Sequence, residues 1–316
     1  MAKISVGGQA VIEGVMMRAP NALAIAVRKP SGEVVVKEDV WRSLAQRVKF
    51  LKWPLIRGSV VLIETLINGL QALSFSASQA LEEEKGGEKE EGKLGSWTLG
   101  LVMAAAFGIG VLFFIVLPHY LTGFLGHFFH QDLGVESLYF HLIDGVIKVL
   151  FFIGYIYLIS FMKDIQRIFQ YHGAEHKCIY TYEAGEELTV SNARKYSTLH
   201  PRCGTAFLLV VFLISIVLFS VIFPFLPKFP TLGKGLTNLI YIGIKLPLLF
   251  PIAGLAYEVI KLSGKKPDHP ALKIIIAPGL WLQRMTTKPP TDDQIEIALR
   301  ALKGALRLES GQKAVL

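Results

Sequence analysis

Residues 97–117, WTLGLVMAAAFGIGVLFFIVL, decide the class of this chain. All 21 are uncharged, and a helix of that length crosses a hydrocarbon layer of about 30 Å. The uncharged stretch is longer still, because no Lys, Arg, Asp or Glu occurs between Lys93 and Asp132. Within it Ala104 and Gly108, and Ala106 and Gly110, repeat small residues four apart. That spacing lets another helix approach closely and reads as packing.

Three further segments repeat the signal. A second span runs from Leu142 to Met162, with Asp144 and Lys148 one turn apart at its outer end, where they can pair locally. A third runs from Thr205 to Pro227, and a fourth from Leu236 to Val259, interrupted by Lys245, Pro247 and Pro251. Proline removes backbone donors and bends a helix. Residues 54–81 are apolar and compatible with helix, but Arg57, Glu64, Asn68, Gln71 and Ser78 give them a polar stripe. They read as an amphipathic helix lying in the interface or packed on the bundle. A crossing here would carry residues 1–53 to the far side.

A hydrophobic fraction of 52% and a mean hydropathy of +0.46 over 316 residues fit a polytopic membrane protein. The expected fold is therefore an α-helical bundle of about four transmembrane helices plus the amphipathic helix, with a small α+β cytoplasmic lobe. No signal peptide is evident, so the N-terminal segment is expected to stay in the mature chain. The net charge of +8 is spread along membrane-flanking segments, without the aromatic-interleaved basic cluster of a nucleic-acid binder. It serves orientation instead. Residues 1–96 carry 13 Lys and Arg, 163–204 carry 6 and 261–316 carry 10, against none in 118–141 and 2 in 227–235. The positive-inside rule places both termini and residues 163–204 in the cytoplasm, on a chain lodged in the inner membrane with the lipid bilayer as its main partner. Two cysteines, Cys178 and Cys203, give no disulfide framework.

The organisation that follows has seven parts. Residues 1–53 form a β-containing cytoplasmic segment, in which Ala22–Arg28 and Glu33–Lys37 make a hairpin around Lys29-Pro30-Ser31-Gly32. Residues 54–81 are the amphipathic helix and 82–95, EEEKGGEKEEGKLG, a charged solvated linker. Residues 97–162 and 205–260 are two transmembrane hairpins flanking a cytoplasmic histidine region, 163–204. In 261–316, Thr291 and Gln294 resemble a capping box ahead of a helix whose apolar face includes Ile295, Ala298, Leu299 and Leu302. That helix should dock on the lobe or on the membrane surface.

The chemistry concentrates in His172-Gly173-Ala174-Glu175-His176. On a helix the two imidazoles lie one turn apart and can reach one ion, with Glu175 beside them as a potential general base. Against this, Gly173 weakens a helix and five residues match by chance. His200-Pro201-Arg202-Cys203 adds an imidazole and a thiol at a turn spacing. Three ligands, His172, His176 and His200, leave a position open for water and permit hydrolysis, whereas a fourth from Cys203 closes the tetrahedron and implies a structural metal. Zinc is the expected ion. Bland roles remain open: Cys203 as a small buried side chain, Arg202 as a cytoplasmic anchor, Glu183, Glu186 and Glu187 as a solvated loop. Near the N-terminus, Gly7–Arg18 places Glu13 and Arg18 around a small apolar core. It reads as a tight turn and strand, or as a segment packing that carboxylate and guanidinium against the histidines. The outer loop from Pro118 to His141 also holds His119, His127 and His130, at irregular spacing.

Four blocks carry a family resemblance: GGQAVIEGVMMR at 7–18, YHGAEHK at 171–177, HPRCGT at 200–205 and PGLWLQRMTTKPPTDDQIEIA at 278–298. Together they resemble the YqhQ-like family of bacterial membrane proteins, a family of unknown function labelled as metal-dependent enzymes. The resemblance implies metal chemistry at His172, Glu175, His176, His200 and Cys203 and supplies no substrate. The reading drawn is a cytoplasm-facing metal-dependent hydrolase in which Glu175 activates water and Arg202 or Arg18 holds developing negative charge. The alternative is a non-enzymatic scaffold or assembly factor bound to a membrane-protein partner. A transporter comes third, on Lys245 and the broken fourth span alone.

Overall fold

A computed structural model describes residues 4–81, 96–129, 134–229, 231–265 and 269–311. The expected linker at 82–95, with His130 and Asp132, lies outside the described residues. The chain is mostly helical around one four-stranded antiparallel sheet, β1 Gly7–Val11, β2 Gly14–Arg18, β3 Ala22–Arg28 and β4 Val34–Val40, in chain order. The expected second hairpin is there, pairing Ala22 with Val40 and Arg28 with Val34. Residues 7–18, read as turn and strand, form a complete first hairpin pairing Gly7 with Arg18. Its tight turn puts Glu13 at φ 52°, and Gly14 is required because a Cβ there would lie 2.1 Å from the Ala26 carbonyl.

Strand alternation sends side chains to both faces of this sheet, and both are covered. Val15, Met17, Ala24 and Ala26 pack against Tyr171, Ala174 and Cys178 of α6 (Lys163–Ala184) and against Ile295, Ala298 and Leu302 of α11 (Asp292–Glu309). Val11, Met16, Leu23, Ile25 and Val27 pack against Ala72, Leu73 and Phe75 of α2 (Ile56–Leu81). Helix α11 starts at the expected capping box, with Thr291 N–H donating to Gln294 Oε1 at 2.9 Å, and docks on the sheet.

Among the described residues five helices are long and apolar enough to cross a membrane, judged by length and composition, where four were expected; the extra one is α2. Its polar stripe faces the protein at Glu64 and Asn68 and leaves Gln71 exposed. Glu64 and Asn68 are buried, while Ile63, Leu66 and Ile67 are exposed. Glu64 accepts from Leu44 N–H at 2.7 Å and Ser43 Oγ at 2.9 Å, so the stripe is consumed by the short helix α1 (Leu44–Arg47) and the residues before it. The start of α2 meets α9 (Lys234–Lys265), where Arg57 pairs with Glu258 and Ser59 Oγ donates to Phe250 O at 2.6 Å.

The first span is also longer than expected. Helices α3 (Ser96–Val111) and α4 (Leu117–Phe128) join through a π-helical turn at Leu112–Val116. Pro118 has no N–H to continue an ordinary turn, and the widened turn before it absorbs that mismatch, so most of the expected outer loop is helix. Helix α5 (Leu138–Ile159) starts at Ser137, whose side chain accepts from Phe140 N–H, and α8 (Gly204–Ile222) matches the third span. Helix α9 is continuous through Pro247 and Pro251 rather than broken. The short helix α7 (Val190–Arg194) and α10 (Pro270–Thr286) complete the chain. Gly279 of α10 sits against Ala206 of α8, where a Cβ would approach to 2.6 Å.

Candidate metal centre

Helix α6 presents His172 and His176 one turn apart on one face, with ring centroids 4.4 Å apart. Each ring is fixed by a main-chain carbonyl from another segment. His172 Nδ1 lies 2.8 Å from Thr286 O, at the end of α10, and His176 Nδ1 lies 2.5 Å from Thr198 O. A carbonyl only accepts, so each Nδ1 carries a proton and each Nε2 is the atom left to bind an ion, any proton on it being released when a metal enters. That is how metal-binding histidines are usually oriented. Cys203, buried just before α8, brings its Sγ to 3.1 Å from His172 Nε2. Ligand atoms of His172, His176 and Cys203 all lie within 4.8 Å of one another. Two imidazoles and a thiolate are a donor set that fits zinc.

Glycines make this convergence possible. A Cβ on Gly173 would stand 2.2 Å from the Lys288 carbonyl, so the residue that weakens α6 on paper lets the segment after α10 close on it. Lys288 N–H donates to Phe169 O at 2.9 Å and holds that approach. Gly8 of β1 leaves room for Glu175, whose Cγ would be 2.7 Å from a Cβ there. Glu175 is buried, 5% exposed, and that burial raises its pKa against the pull of His176 and His172.

The neighbours of the centre also shift its protons. Burial disfavours a charged His172, yet the Cys203 sulfur beside it outweighs this and lifts its pKa to about 9. Burial likewise opposes ionisation of Cys203, but His172 and His176 hold its pKa well below the ordinary thiol value. The metal-free pair is thus thiolate and imidazolium.

His200 stands beside this centre without pointing into it. Its ring lies 5.5 Å from that of His176, while Nδ1 accepts from Arg202 N–H at 3.3 Å and Nε2 is 3.4 Å from Glu183. Burial, with His176 nearby, lowers its pKa to about 4, so it is neutral. Gln283 of α10 clamps its backbone, accepting from His200 N–H at 2.7 Å and donating to His200 O at 2.8 Å. Arg202 pairs with Glu183. Glu13 pairs with Arg167 and accepts from the O–H of Tyr171, the residue before His172, at 3.3 Å. Arg18 points the other way. Alternation along β2 sends Met17 toward α6 and Arg18 toward α2, where it meets Glu64 at 3.4 Å and stacks on Trp41. The carbonyls of Thr198 and Thr286, and Gln283, were not singled out from sequence; main-chain acceptors leave no signature in residue type.

A family described as Protein of unknown function (DUF1385) matches residues 53–308. The chain belongs to that family. A curated relative, Uncharacterized protein YqhQ of Bacillus subtilis (strain 168), is 32% identical over 314 residues, covering 96% of this chain and 93% of the relative. No solved structure matches. Three of the four sequence blocks meet at the centre: Gly8 from the first, the histidines from the second and Cys203 from the third. The fourth, 278–298, supplies the Thr286 carbonyl.

Proposed function

We propose that this chain is a multi-pass inner-membrane metalloprotein, a metal-dependent hydrolase whose centre faces the cytoplasm. The observation that carries the reading is the pair of Nδ1–carbonyl anchors, which leave two Nε2 atoms aimed at one thiol. His172, His176 and Cys203 would hold the ion and leave one position open. A bound zinc or similar divalent ion supplies Lewis-acid polarisation of a substrate oxygen.

The rest of the chemistry belongs to the chain. Glu175 is a buried carboxyl with a raised pKa beside the ligands, suited to taking a proton from water and returning it to a leaving group. Arg202, held by Glu183 at the end of α6 and adjoining His200, would receive a negatively charged group. The exposed apolar face of α2 and the other long helices support a membrane location, and with it a peptide or lipid-linked substrate at the surface. The test is metal analysis of the detergent-purified chain beside Glu175→Gln. Stoichiometric metal in both, with cellular function lost only in the variant, is the expected result; a metal-free wild type overturns the reading.

One observation favours the second reading, a scaffold with a structural metal. The centre joins α6, the segment before α8 and the end of α10, all largely buried, as a clip would. Glu175→Gln that keeps both metal and function would select it.

A further inference from the structure

A second polar cluster lies far from the histidine motif, among helices apolar enough to cross a membrane. On α5, His141, Asp144 and Lys148 fall on one stripe at three- and four-residue steps. Lys245 of α9 and His119 of α4 meet that stripe. Lys148 Nζ donates to Asp144 Oδ2 at 2.6 Å, Lys245 Nζ to the same oxygen at 2.9 Å, and Lys245 Nζ lies 3.2 Å from His119 Nδ1. All five residues are at most 3% exposed. Three phenyl rings enclose Lys245, with Phe140, Phe219 and Phe223 centroids 5.7, 5.8 and 5.8 Å from its nitrogen.

The charges do not balance. Two ammoniums share one carboxylate, and among the described residues no second acid joins the cluster. Hydrogen-bonding capacity is lopsided in the same sense. Each ammonium carries three N–H groups, and the contacts use one on Lys148 and two on Lys245. Because Lys245 donates to His119 Nδ1, the neutral His119 ring carries its proton on Nε2, which makes no well-formed hydrogen bond although the Asn238 side chain lies beside the ring. Neither nitrogen of His141 makes a well-formed hydrogen bond either, with the Val135 backbone beside it and its ring packed 4.4 Å from Phe223, which also faces Lys245. The three unused N–H groups of the two ammoniums therefore outnumber the one unused carboxylate oxygen, Asp144 Oδ1. An enclosed site with surplus positive charge and surplus N–H groups lacks an anion.

We infer that the Lys148–Asp144–Lys245 cluster, with His119 and His141, is a binding site for one small monoanion of about the size of chloride. One negative charge makes the group neutral, and the free N–H groups of Lys148, Lys245, His119 and His141 are its ligands. The aromatic lid limits the guest to a few atoms. The site is independent of the metal centre, sharing no residue with it.

Thermal unfolding of the full chain in detergent, in gluconate buffer titrated with chloride, bromide or nitrate, tests this. Wild type should gain stability in a saturable way, as for any ligand bound only by the folded state. Lys148→Met removes the surplus charge and should abolish the response while keeping the Lys245–Asp144 pair. His141→Phe should shift the midpoint to about tenfold higher anion or more. A wild type indifferent to all three anions overturns the inference, and so does a response that survives both substitutions. Should either variant fail to fold, anomalous scattering from bromide-soaked crystals of the wild type decides. A peak between Lys148 and Lys245 supports the site, and none refutes it.

Discussion

The protein buries two polar clusters and completes them in opposite ways. At the histidine centre, main-chain carbonyls from distant segments fix each ring, and glycines at 8 and 173 let those segments close in. In the helical bundle, helices surround the charged groups, and the two lysines bond to the side chains of Asp144 and His119 rather than to main-chain carbonyls. Asp144 alone joins two lysines, and its second oxygen stays unpaired. The contrast teaches that burial alone does not say what a polar group is for. An oriented ring with its Nε2 left for an ion awaits an electrophile, whereas crowded ammoniums await negative charge.

The sharpest break of this comparison is at the ligands. Cys203→Ser or His172→Ala should take the metal content of the purified chain from near stoichiometric to near zero, measured by elemental analysis. Unchanged metal would place it elsewhere. Next comes Asp144→Asn, which strands two buried ammoniums and should cost about 3–5 kcal/mol, read by denaturant unfolding in detergent. A loss under 1 kcal/mol, roughly that of an exposed pair, would mean that the lysines are neutral or otherwise compensated.

Gly173→Ala sharpens the other side. Its Cβ meets a carbonyl oxygen at 2.2 Å, and overpacking of this kind costs about 1–3 kcal/mol, with loss of metal affinity as the 286–288 segment is pushed off. A stable variant with normal metal binding would show that this approach is not needed. The smallest effect is Thr291→Ala, which removes the α11 cap at about 1 kcal/mol and should leave metal content untouched. If metal is lost as well, α11 supports the centre more directly than its packing suggests.

The two clusters were unequally legible in the sequence. His172, Glu175 and His176 announce themselves because their relation is local, and His200 and Cys203 share a short motif. The bundle cluster joins His119, Asp144 and Lys245, and only His141, Asp144 and Lys148 are near neighbours in sequence. The lone lysine could be noticed but not its company. The same distinction governs the fold. The third span and the 22–40 hairpin follow from composition and turn chemistry. The polar stripe of α2 pointed to a helix lying in the interface or packed on the bundle; the structure packs it on protein, with Glu64 taken up by Ser43, Leu44 and Arg18, and pattern alone cannot tell water from a protein partner. Gly173 counted against a helix for the same reason: propensity sees the missing side chain and not the Lys288 carbonyl it admits.

The contact between Gly8 and Glu175 orders events during synthesis. Strand β1 leaves the ribosome early, whereas the carboxyl it covers and the sulfur beyond are translated much later. The first hairpin can form at once from neighbouring residues, but its seat on α6 does not yet exist. For the time taken to translate three long apolar helices its inner face stays uncovered, open to chaperones and proteases alike. Closure of the centre is thus a late step of assembly, tying together the oldest and youngest parts of the nascent chain.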